Sequence, residues 1–309
     1  MKITGLYDCH IHGGPEPIPR KYDFITMSRN MEEAGMAGFV AKSHFYSTVP
    51  FACLADTYGT KNVWGSVVLN HFVGGINPNA VRASLGMKRD GENLLRIVWM
   101  PTMHAKSNIE MLRRKGIGSD IPPEWTSGAF SPGAQRLDNI PPIDILAPEV
   151  QDRLKETLDL IAESGVCLAT GHLSREEIFH LVPLAKKIGV RSIVLTHHIY
   201  VNALMHPIYG STGLTDPEMR QLTEYENVFA EMCYIFMPID GFSPEEMAEH
   251  IRSVGTERII LSTDSGQISM EPPHVCMQKF IDLLSSSGFT DDMLLTMARA
   301  NPKKVLGFT

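Results

Sequence analysis

The sequence has few cysteines, and their placement does not suit cross-linking. The chain of 309 residues has five cysteines, an odd number, and no two of them form a CxxC pair. A disulfide framework needs paired cysteines, and a structural zinc ribbon needs closely spaced ones. The pattern argues against both, and we expect most of these side chains to be small buried hydrophobic groups. They are Cys9, Cys53, Cys167, Cys233 and Cys276.

Long apolar runs and an excess of positive charge are also missing. No stretch approaches the roughly 18 consecutive apolar residues of a membrane span, and the N-terminus MKITGLYDCHIHGGPEP has no apolar signal-peptide core. We therefore expect a soluble cytoplasmic protein that does not contact a membrane. The net charge is -7 at pH 7, and scattered Lys and Arg form no basic stripe for nucleic acid. The expected partner is a small-molecule substrate.

Two catalytic motifs are absent. No GxGxxG follows the first apolar run, and no GxSxG nucleophile elbow occurs. These absences argue against dinucleotide binding on a doubly wound sheet and against a serine nucleophile. No cysteine lies beside a partner histidine in a recognisable pattern, so a cysteine nucleophile has little support either.

Eight short apolar runs, rich in Val and Ile, recur along the chain, and segments with helical character lie between many of them. Strand followed by helix, repeated eight times, predicts an α/β fold with a parallel (β/α)₈ TIM barrel. We expect one domain over residues 1–309, because the chain is near the size of one such barrel with modest insertions. The runs are TGLYDCHIH (4–12), GFVAKSHF (38–45), NVWGSVVLN (62–70), LRIVWMPTMH (95–104), VCLATGHL (166–173), SIVLTHHIY (192–200), VFAEMCYIF (228–236) and IILSTDSG (259–266).

The connection after the fourth run is unusually long. Residues 105–148 are rich in Pro, Gly and Ser and far exceed the usual few residues of a strand-to-helix loop. On a barrel such a loop projects over the mouth, which favours a lid or a substrate-specificity element. A contact between subunits is the alternative.

Polar side chains cluster where these strands end. His10 and His12 are two residues apart on one strand, so both side chains can point inward and bind one ion. A barrel brings the ends of its other strands around the same axis, which supplies further ligands. Those ends carry Lys42 and His44, His104, His172, His197 and His198, and Asp264.

Imidazole and carboxylate groups suit one or two divalent metal ions. Zn²⁺ fits such ligands best, and Mn²⁺, Fe²⁺ and Co²⁺ are also compatible. A single histidine is more often a hydrogen-bonded core or loop residue than a ligand. The joint pattern, with HxH on one strand and later strands ending in His or Asp, nevertheless predicts a metal site.

The sequence resembles the amidohydrolase superfamily. The matching segments are DCHIH at the first strand, ATGH at the fifth, LTHH at the sixth and STDS at the eighth. The resemblance implies that one or two metals bind His10, His12, His172, His197 and Asp264. His197 is preferred to its neighbour because its position after SIVLT matches the family pattern.

The fourth strand departs from the better-known binuclear members. Those members resemble one another in a carboxylated Lys or a Glu on this strand that bridges the metals, whereas here it offers only His104. Lys42 on the second strand is the candidate for the bridge. A lysine ammonium has no lone pair, but its carbamate is an anionic ligand. Alternatively, Lys42 stays a cation that binds a substrate carboxylate or phosphate beside a single ion.

These residues predict an enzyme that uses metal-activated water to cleave an amide, cyclic amide, lactone or ester in a small molecule. Asp264 is expected to shuttle the proton. His44, His104 and His198 are expected to contact substrate, although they also fit as hydrogen-bonded structural residues. The alternatives are a non-oxidative decarboxylase, which one ion would favour, and a non-catalytic metal-binding barrel. By resemblance to such barrels we also expect a homo-oligomer.

Overall fold

Eight parallel strands form the centre of the molecule. The computed structural model describes residues 1–114, 140–196, 213–239 and 241–308. Each strand pairs with the next along the chain, in the order β1 to β8. All eight lie inside the predicted apolar runs. They are β1 Tyr7–His12, β2 Gly38–Lys42, β3 Val63–Val68, β4 Leu95–Trp99, β5 Cys167–Ala169, β6 Ile193–Leu195, β7 Val228–Cys233 and β8 Ile259–Ser262.

The first and last strands meet, which brings the sheet round into a nearly closed barrel. The backbone N–H of Asp264 donates to the carbonyl of His10 at 2.9 Å, and the N–H of His12 donates to the carbonyl of Ser265 at 2.9 Å. These bonds lie just beyond the end of β8, on the side where active sites of such barrels are found. The predicted (β/α)₈ fold is confirmed.

Helices cover the outside of the barrel. Three begin with a reciprocal capping box, formed by Ser174 with Glu177, Thr215 with Glu218, and Ser243 with Glu246. The segments with helical character that are predicted between the apolar runs contain helices. The helices are α1 Phe24–Glu33, α2 Val49–Thr57, α3 Pro78–Leu85, α4 Lys106–Arg114, α5 Gln151–Ser164, α6 Arg175–Ile188, α7 Asp216–Thr223, α8 Pro244–Val254, α9 Pro273–Ser286, α10 Asp291–Leu295 and α11 Asn301–Leu306.

Shorter elements complete the described chain. A two-stranded antiparallel pair joins Lys88–Arg89 to Glu92–Asn93. Among the described residues, no helix is long and apolar enough to cross a membrane. The single-turn helices are His71–Val73, Pro148–Val150, Tyr234–Phe236 and Thr256–Arg258, and a π-helical turn covers Thr296–Ala300.

The hydrophobic core has two layers. Side chains from the inner faces of the strands fill the barrel, and a larger layer packs between the strands and the helices. Phe308 covers the N-terminal end of the barrel, with its ring centroid 5.5 Å from that of Tyr7 and 4.6 Å from that of Trp64. The inner layer comprises Cys9, Val40, Val68, Ile97, Trp99, Cys167, Ala169, Val194, Phe229, Ile260, Val305 and Leu306.

A bulge in β1 sets the direction of its histidines. Asp8 pairs with Phe39 and Ile11 pairs with Ala41, so β1 uses three residue steps where β2 uses two. Cys9 faces the barrel interior. In a regular strand successive side chains point to opposite faces, so His10 would point away from the interior. The extra residue changes the phase of the strand, so that His10 also turns inward. Bulges commonly re-aim side chains next to active sites.

The long connection after β4 begins with α4 and returns to its starting point. Ala105 forms a parallel bridge with Ile143, and the N–H of Ile143 donates to the carbonyl of His104 at 2.7 Å. The interval 115–139 lies outside the described residues. The expected lid over residues 105–148 therefore stays a prediction.

Candidate metal centre

One carboxylate oxygen and two imidazoles converge at the C-terminal end of the barrel. Oδ1 of Asp264 lies 3.0 Å from Nε2 of His10 and 3.1 Å from Nε2 of His12. Ligand bonds of about 2.0–2.2 Å in a tetrahedral zinc site place neighbouring ligand atoms about 3.3 Å apart. The two distances from Oδ1 of Asp264 are close to that spacing, and imidazole and carboxylate groups are common ligands of divalent metal ions.

The backbone beside Asp264 is shaped for this convergence. Asp264 itself has a φ of 50°, a left-handed conformation that Asp tolerates better than most residues. Gly266 has a φ of 125°, and a Cβ atom there would lie 1.9 Å from the carbonyl oxygen of His12. Only glycine permits this close approach between the segment after β8 and the end of β1.

Strand β7 contributes two residues that the sequence reasoning missed. Oε2 of Glu231 lies 3.2 Å from Nδ1 of His10, on the opposite side of the ring from Asp264. A carboxylate in that position fixes the orientation of a metal-binding histidine. The thiol of Cys233 lies within 4.8 Å of ligand atoms of His10 and Asp264, so Cys233 is a further potential ligand. Burial raises the pKa of this thiol well above its ordinary value.

Lys42 lies against the same histidine. Its Nζ is 2.8 Å from Nε2 of His10 and 4.4 Å from the ring centroid of Trp99, and its side chain is fully buried. Burial lowers the pKa of Lys42, although Asp264 and Glu231 oppose the shift. Trp99 faces the barrel interior near the end of β4 and stacks on this lysine.

Two further histidines border the centre. The ring of His44 stacks on that of His12, with centroids 4.7 Å apart and planes 30° apart, and lies 6.5 Å from the ring of His172. Nδ1 of His44 is 2.9 Å from Oγ1 of Thr102. Burial lowers the pKa of His172 to about 3 and holds the pKa of His44 well below its ordinary value. Both imidazoles are therefore neutral at pH 7.

The two histidines of the HxH pair differ in electrostatic environment. Burial holds the pKa of His12 well below its ordinary value, and the charge of Arg20 adds to that shift. Burial also acts to lower the pKa of His10, but the carboxylates of Asp264 and Glu231 outweigh it and raise the pKa. Metal binding requires the neutral imidazole, which His12 already provides.

His104 lies in a different environment. Its Nδ1 accepts a hydrogen bond from the backbone N–H of His71 at 3.1 Å, and its ring packs edge-on against Phe72 with centroids 4.7 Å apart. Burial lowers the pKa of His104 to about 3. The structure thus brings together His10, His12, Lys42, His44, His172 and Asp264, and packs His104 among the side chains after β3. His197 and His198 lie outside the described residues.

Solved structures share this architecture at low sequence identity. A candidate 2-pyrone-4,6-dicarboxylic acid hydrolase from Pseudomonas putida is 15% identical with a TM-score of 0.58, over 100% of this chain and 99% of that one. A zinc-bound amidohydrolase from Burkholderia multivorans is 8% identical with a TM-score of 0.60, over 99% and 100%. The organophosphorus hydrolase of Deinococcus radiodurans is 12% identical with a TM-score of 0.56, over 98% and 92%.

These neighbours share the predicted barrel, and one of them is named an amidohydrolase, in line with the predicted resemblance. At such identities the likeness establishes the fold alone. None of the curated proteins matches the sequence. The model of a family of unknown function, DUF6282, matches residues 5–231, and the chain belongs to that family.

Proposed function

We propose that this protein is a metal-dependent hydrolase that cleaves an amide, cyclic amide, lactone or ester bond in a small molecule. The observation that carries the proposal is the convergence of His10, His12 and Asp264 at the barrel mouth, where Oδ1 of Asp264 lies 3.0 Å from Nε2 of His10 and 3.1 Å from Nε2 of His12. The neighbours named as hydrolases support the same class of chemistry on the same fold.

The metal would be held by His10, His12 and Asp264, and Cys233, within 4.8 Å of ligand atoms of His10 and Asp264, could complete the ligand set. His172 is proposed as a further ligand from the sequence resemblance. Zn²⁺ is the ion we expect first, because it combines readily with imidazole, carboxylate and thiolate ligands, and Mn²⁺, Fe²⁺ and Co²⁺ also suit the site. When bound, such an ion supplies Lewis-acid chemistry and lowers the pKa of water to about 7.

The protein supplies the proton transfer and the orientation of the groups. The carboxylate of Asp264 is placed to accept a proton from the attacking water and to pass it to the leaving group. Glu231 holds the ring of His10 from the Nδ1 side and so fixes which nitrogen faces the centre. His44 is neutral, buried and stacked on His12, so it is suited to donate a hydrogen bond to a substrate oxygen.

Lys42 is proposed to carry carbon dioxide as a carbamate and to bridge two metal ions. The reaction joins the neutral amine to CO₂ and releases one proton, which gives an anionic ligand. Burial favours the neutral amine that this reaction requires. Because Nζ lies 2.8 Å from His10, a carboxylate built on it would lie beside the proposed metal ligands.

Metal analysis tests the central claim. We expect the full-length protein, loaded with Zn²⁺ and desalted, to retain one or two ions per chain by mass spectrometry. His12→Ala and Asp264→Asn should retain less than half of that amount, whereas His180→Ala, at an exposed site on α6, should match the wild type. Retention of full metal by both centre variants would refute this ligand set.

Activity is tested on the same preparations. A panel of lactones, cyclic amides and esters should be hydrolysed by the metal-loaded protein, and a chelator should abolish the activity reversibly. If carbon dioxide release from aromatic or unsaturated acids were the only metal-dependent reaction observed, the protein would be a decarboxylase instead.

A further inference from the structure

A buried ion pair lies in the connection between β1 and α1. Nε of Arg20 donates to Oε1 of Glu16 at 2.5 Å, and the two side chains are 2% and 0% exposed. The hydroxyl of Ser43 donates to the other oxygen of Glu16 at 2.6 Å. Neither charged residue belongs to the metal ligand set, and both are far more buried than Glu and Arg normally are.

The backbone places Arg20 at the rim of the metal centre. Arg20 forms an antiparallel bridge with Gln267, and the N–H of Lys21 donates to the carbonyl of Gly266 at 2.8 Å, so this connection runs beside the segment that follows Asp264. Ser43 anchors Glu16 from the end of β2. The backbone of Arg20 is thus held beside the segment after β8, and its partner Glu16 is held at the end of β2. Both places also carry residues of the candidate centre.

The electrostatics agree with that position. The positive charge of Arg20 contributes, after burial, to the lowered pKa of His12, and it acts in the same direction on the pKa of Lys42 and His44. A charge shifts the pKa of another group in this way only when the two are close together or poorly screened by solvent.

Most N–H donors of the Arg20 guanidinium have no hydrogen-bond acceptor among the described residues. Arg carries five N–H donors in a planar fork, and Glu16 accepts from Nε. Across the described ranges, no residue accepts a hydrogen bond from the two terminal nitrogens of Arg20. An oxyanion that binds both terminal nitrogens would give these strong donors a charged, bidentate acceptor.

We infer that Arg20 is a substrate-binding residue that takes a carboxylate group, so that the substrate of the proposed hydrolase is a small carboxylate-bearing molecule. Glu16 orients the guanidinium of Arg20 by accepting a hydrogen bond from Nε, and the two terminal nitrogens are then available to the ligand. The negative charge of Glu16 beside the site favours a monoanionic carboxylate over a doubly charged phosphate. To call the bound molecule a substrate rests on the proposed function. The binding of a carboxylate to Arg20, however, is measurable without metal and without turnover.

The test compares acids with their neutral amides. Acetate, benzoate and glutarate, each with its amide counterpart, are titrated into the metal-free and the zinc-loaded full-length protein, and binding is followed by calorimetry and ligand-observed NMR. At least one acid should bind the wild type more tightly than its amide in both forms. Arg20→Met should weaken that acid by about tenfold or more and leave the amide unchanged.

Matched variants separate charge, geometry and folding. Arg82→Met removes an exposed arginine that pairs with Glu156, and it should bind as the wild type does. Arg20→Lys keeps the charge but loses the fork, so it should bind with intermediate affinity. Because Arg20→Met removes the arginine that pairs with buried Glu16, the double variant Glu16→Gln/Arg20→Met should restore thermal stability without restoring acid binding.

Two outcomes would overturn the inference. One is that the single and double Arg20 variants bind every acid as tightly as the wild type. The other is that none of the acids binds the wild type better than its amide. Failure of the proposed function is distinguishable, since it would show as absent metal while the metal-free titrations still report on Arg20.

Discussion

The carboxylate of Asp8 accepts a hydrogen bond from the hydroxyl of Thr263 at 2.6 Å and so joins the first strand of the barrel to the segment after the last. The other oxygen of Asp8 accepts from the backbone N–H groups of His10 and Thr263, at 3.0 and 3.1 Å. One buried side chain therefore holds the strand that carries the HxH pair against the residue that precedes Asp264. We therefore expect the candidate metal centre to depend on this junction.

Asp8→Ala should reduce both stability and metal affinity. Its loss leaves the buried backbone N–H groups of His10 and Thr263 without an acceptor and leaves the hydroxyl of Thr263 with only Ser265 beside it. We therefore expect the free energy of unfolding to fall by about 3 kcal/mol or more. Metal affinity should fall by about 10- to 100-fold, because the segments that carry the ligands are no longer held together. Urea unfolding and competition with a chelating dye measure the two effects.

Thr263→Val is the milder control for that junction. It removes one hydroxyl, keeps the shape of the side chain and leaves Asp8 with its two backbone donors. The cost should be about 1–2 kcal/mol with a smaller change in metal affinity. Equal effects of Asp8→Ala and Thr263→Val would contradict the role assigned to the backbone bonds.

Gly266→Ala should disrupt the centre more than its position in a loop suggests. The new Cβ would lie 1.9 Å from the carbonyl of His12, so the end of β1 or the segment after β8 must move. Gly59→Ala is a matched control, because Gly59 also has a positive φ but has nothing within 4 Å of the added carbon. The control should cost about 1 kcal/mol and keep full metal binding. Gly266→Ala should lose most of its metal, and full retention would show that the close approach is unimportant.

The fold was predictable because its signals are local. Each strand is a short apolar run, and helices such as α6 carry their own capping residues, Ser174 and Glu177, in the sequence. The HxH spacing predicted the shared direction of His10 and His12. The bulge that turns both of them inward was not predictable, since it depends on how β1 pairs with β2.

The missed site residues had weaker signals. Glu231 and Cys233 lie two residues apart in a run that reads as a fully buried strand, and a carboxylate inside such a run was the one available sign. Arg20 and Glu16 lie in a connection with no periodicity, so nothing local indicates their burial. Conversely, His104 ends a predicted strand like the other histidines, but the turn after β4 packs it against Phe72.

Asp23 is expected to stabilise the folded protein at neutral pH, and this contribution to the free energy of unfolding should be lost in acid. Partial burial opposes the shift, but hydrogen bonds from Thr26 and Ile25 at the start of α1 outweigh it and lower the pKa of Asp23. Because the folded pKa lies below the unfolded value, the stabilisation is present above about pH 4 and is lost as the pH falls through the folded pKa. Solvent screening keeps the pH-dependent part below about 1 kcal/mol.

Helix-cap variants measure that contribution. Asp23→Ala should cost about 1 kcal/mol at pH 7, and the difference from the wild type should shrink at pH 3.5, as read from urea unfolding. Asp23→Asn keeps a capping side chain that does not titrate, so it should lose little at pH 7 and show a flatter pH profile. A gap between Asp23→Ala and the wild type that widens in acid would contradict the lowered pKa.

Lys42 should decide how many metal ions the centre holds. If it carries the proposed carbamate, protein loaded with metal in ¹³C-bicarbonate should show a carbamate carbon signal by NMR and retain about two ions per chain. Lys42→Ala should lose the signal and at least one ion, and a short carboxylic acid such as acetate should partly restore metal binding by filling the space left by the side chain. Lys106→Ala, which removes a half-buried lysine paired with Asp144, is the control and should change neither measurement. One ion per chain that is retained equally by Lys42→Ala, with no labelled carbon in the wild type, would instead mean that Lys42 remains an amine beside a mononuclear centre.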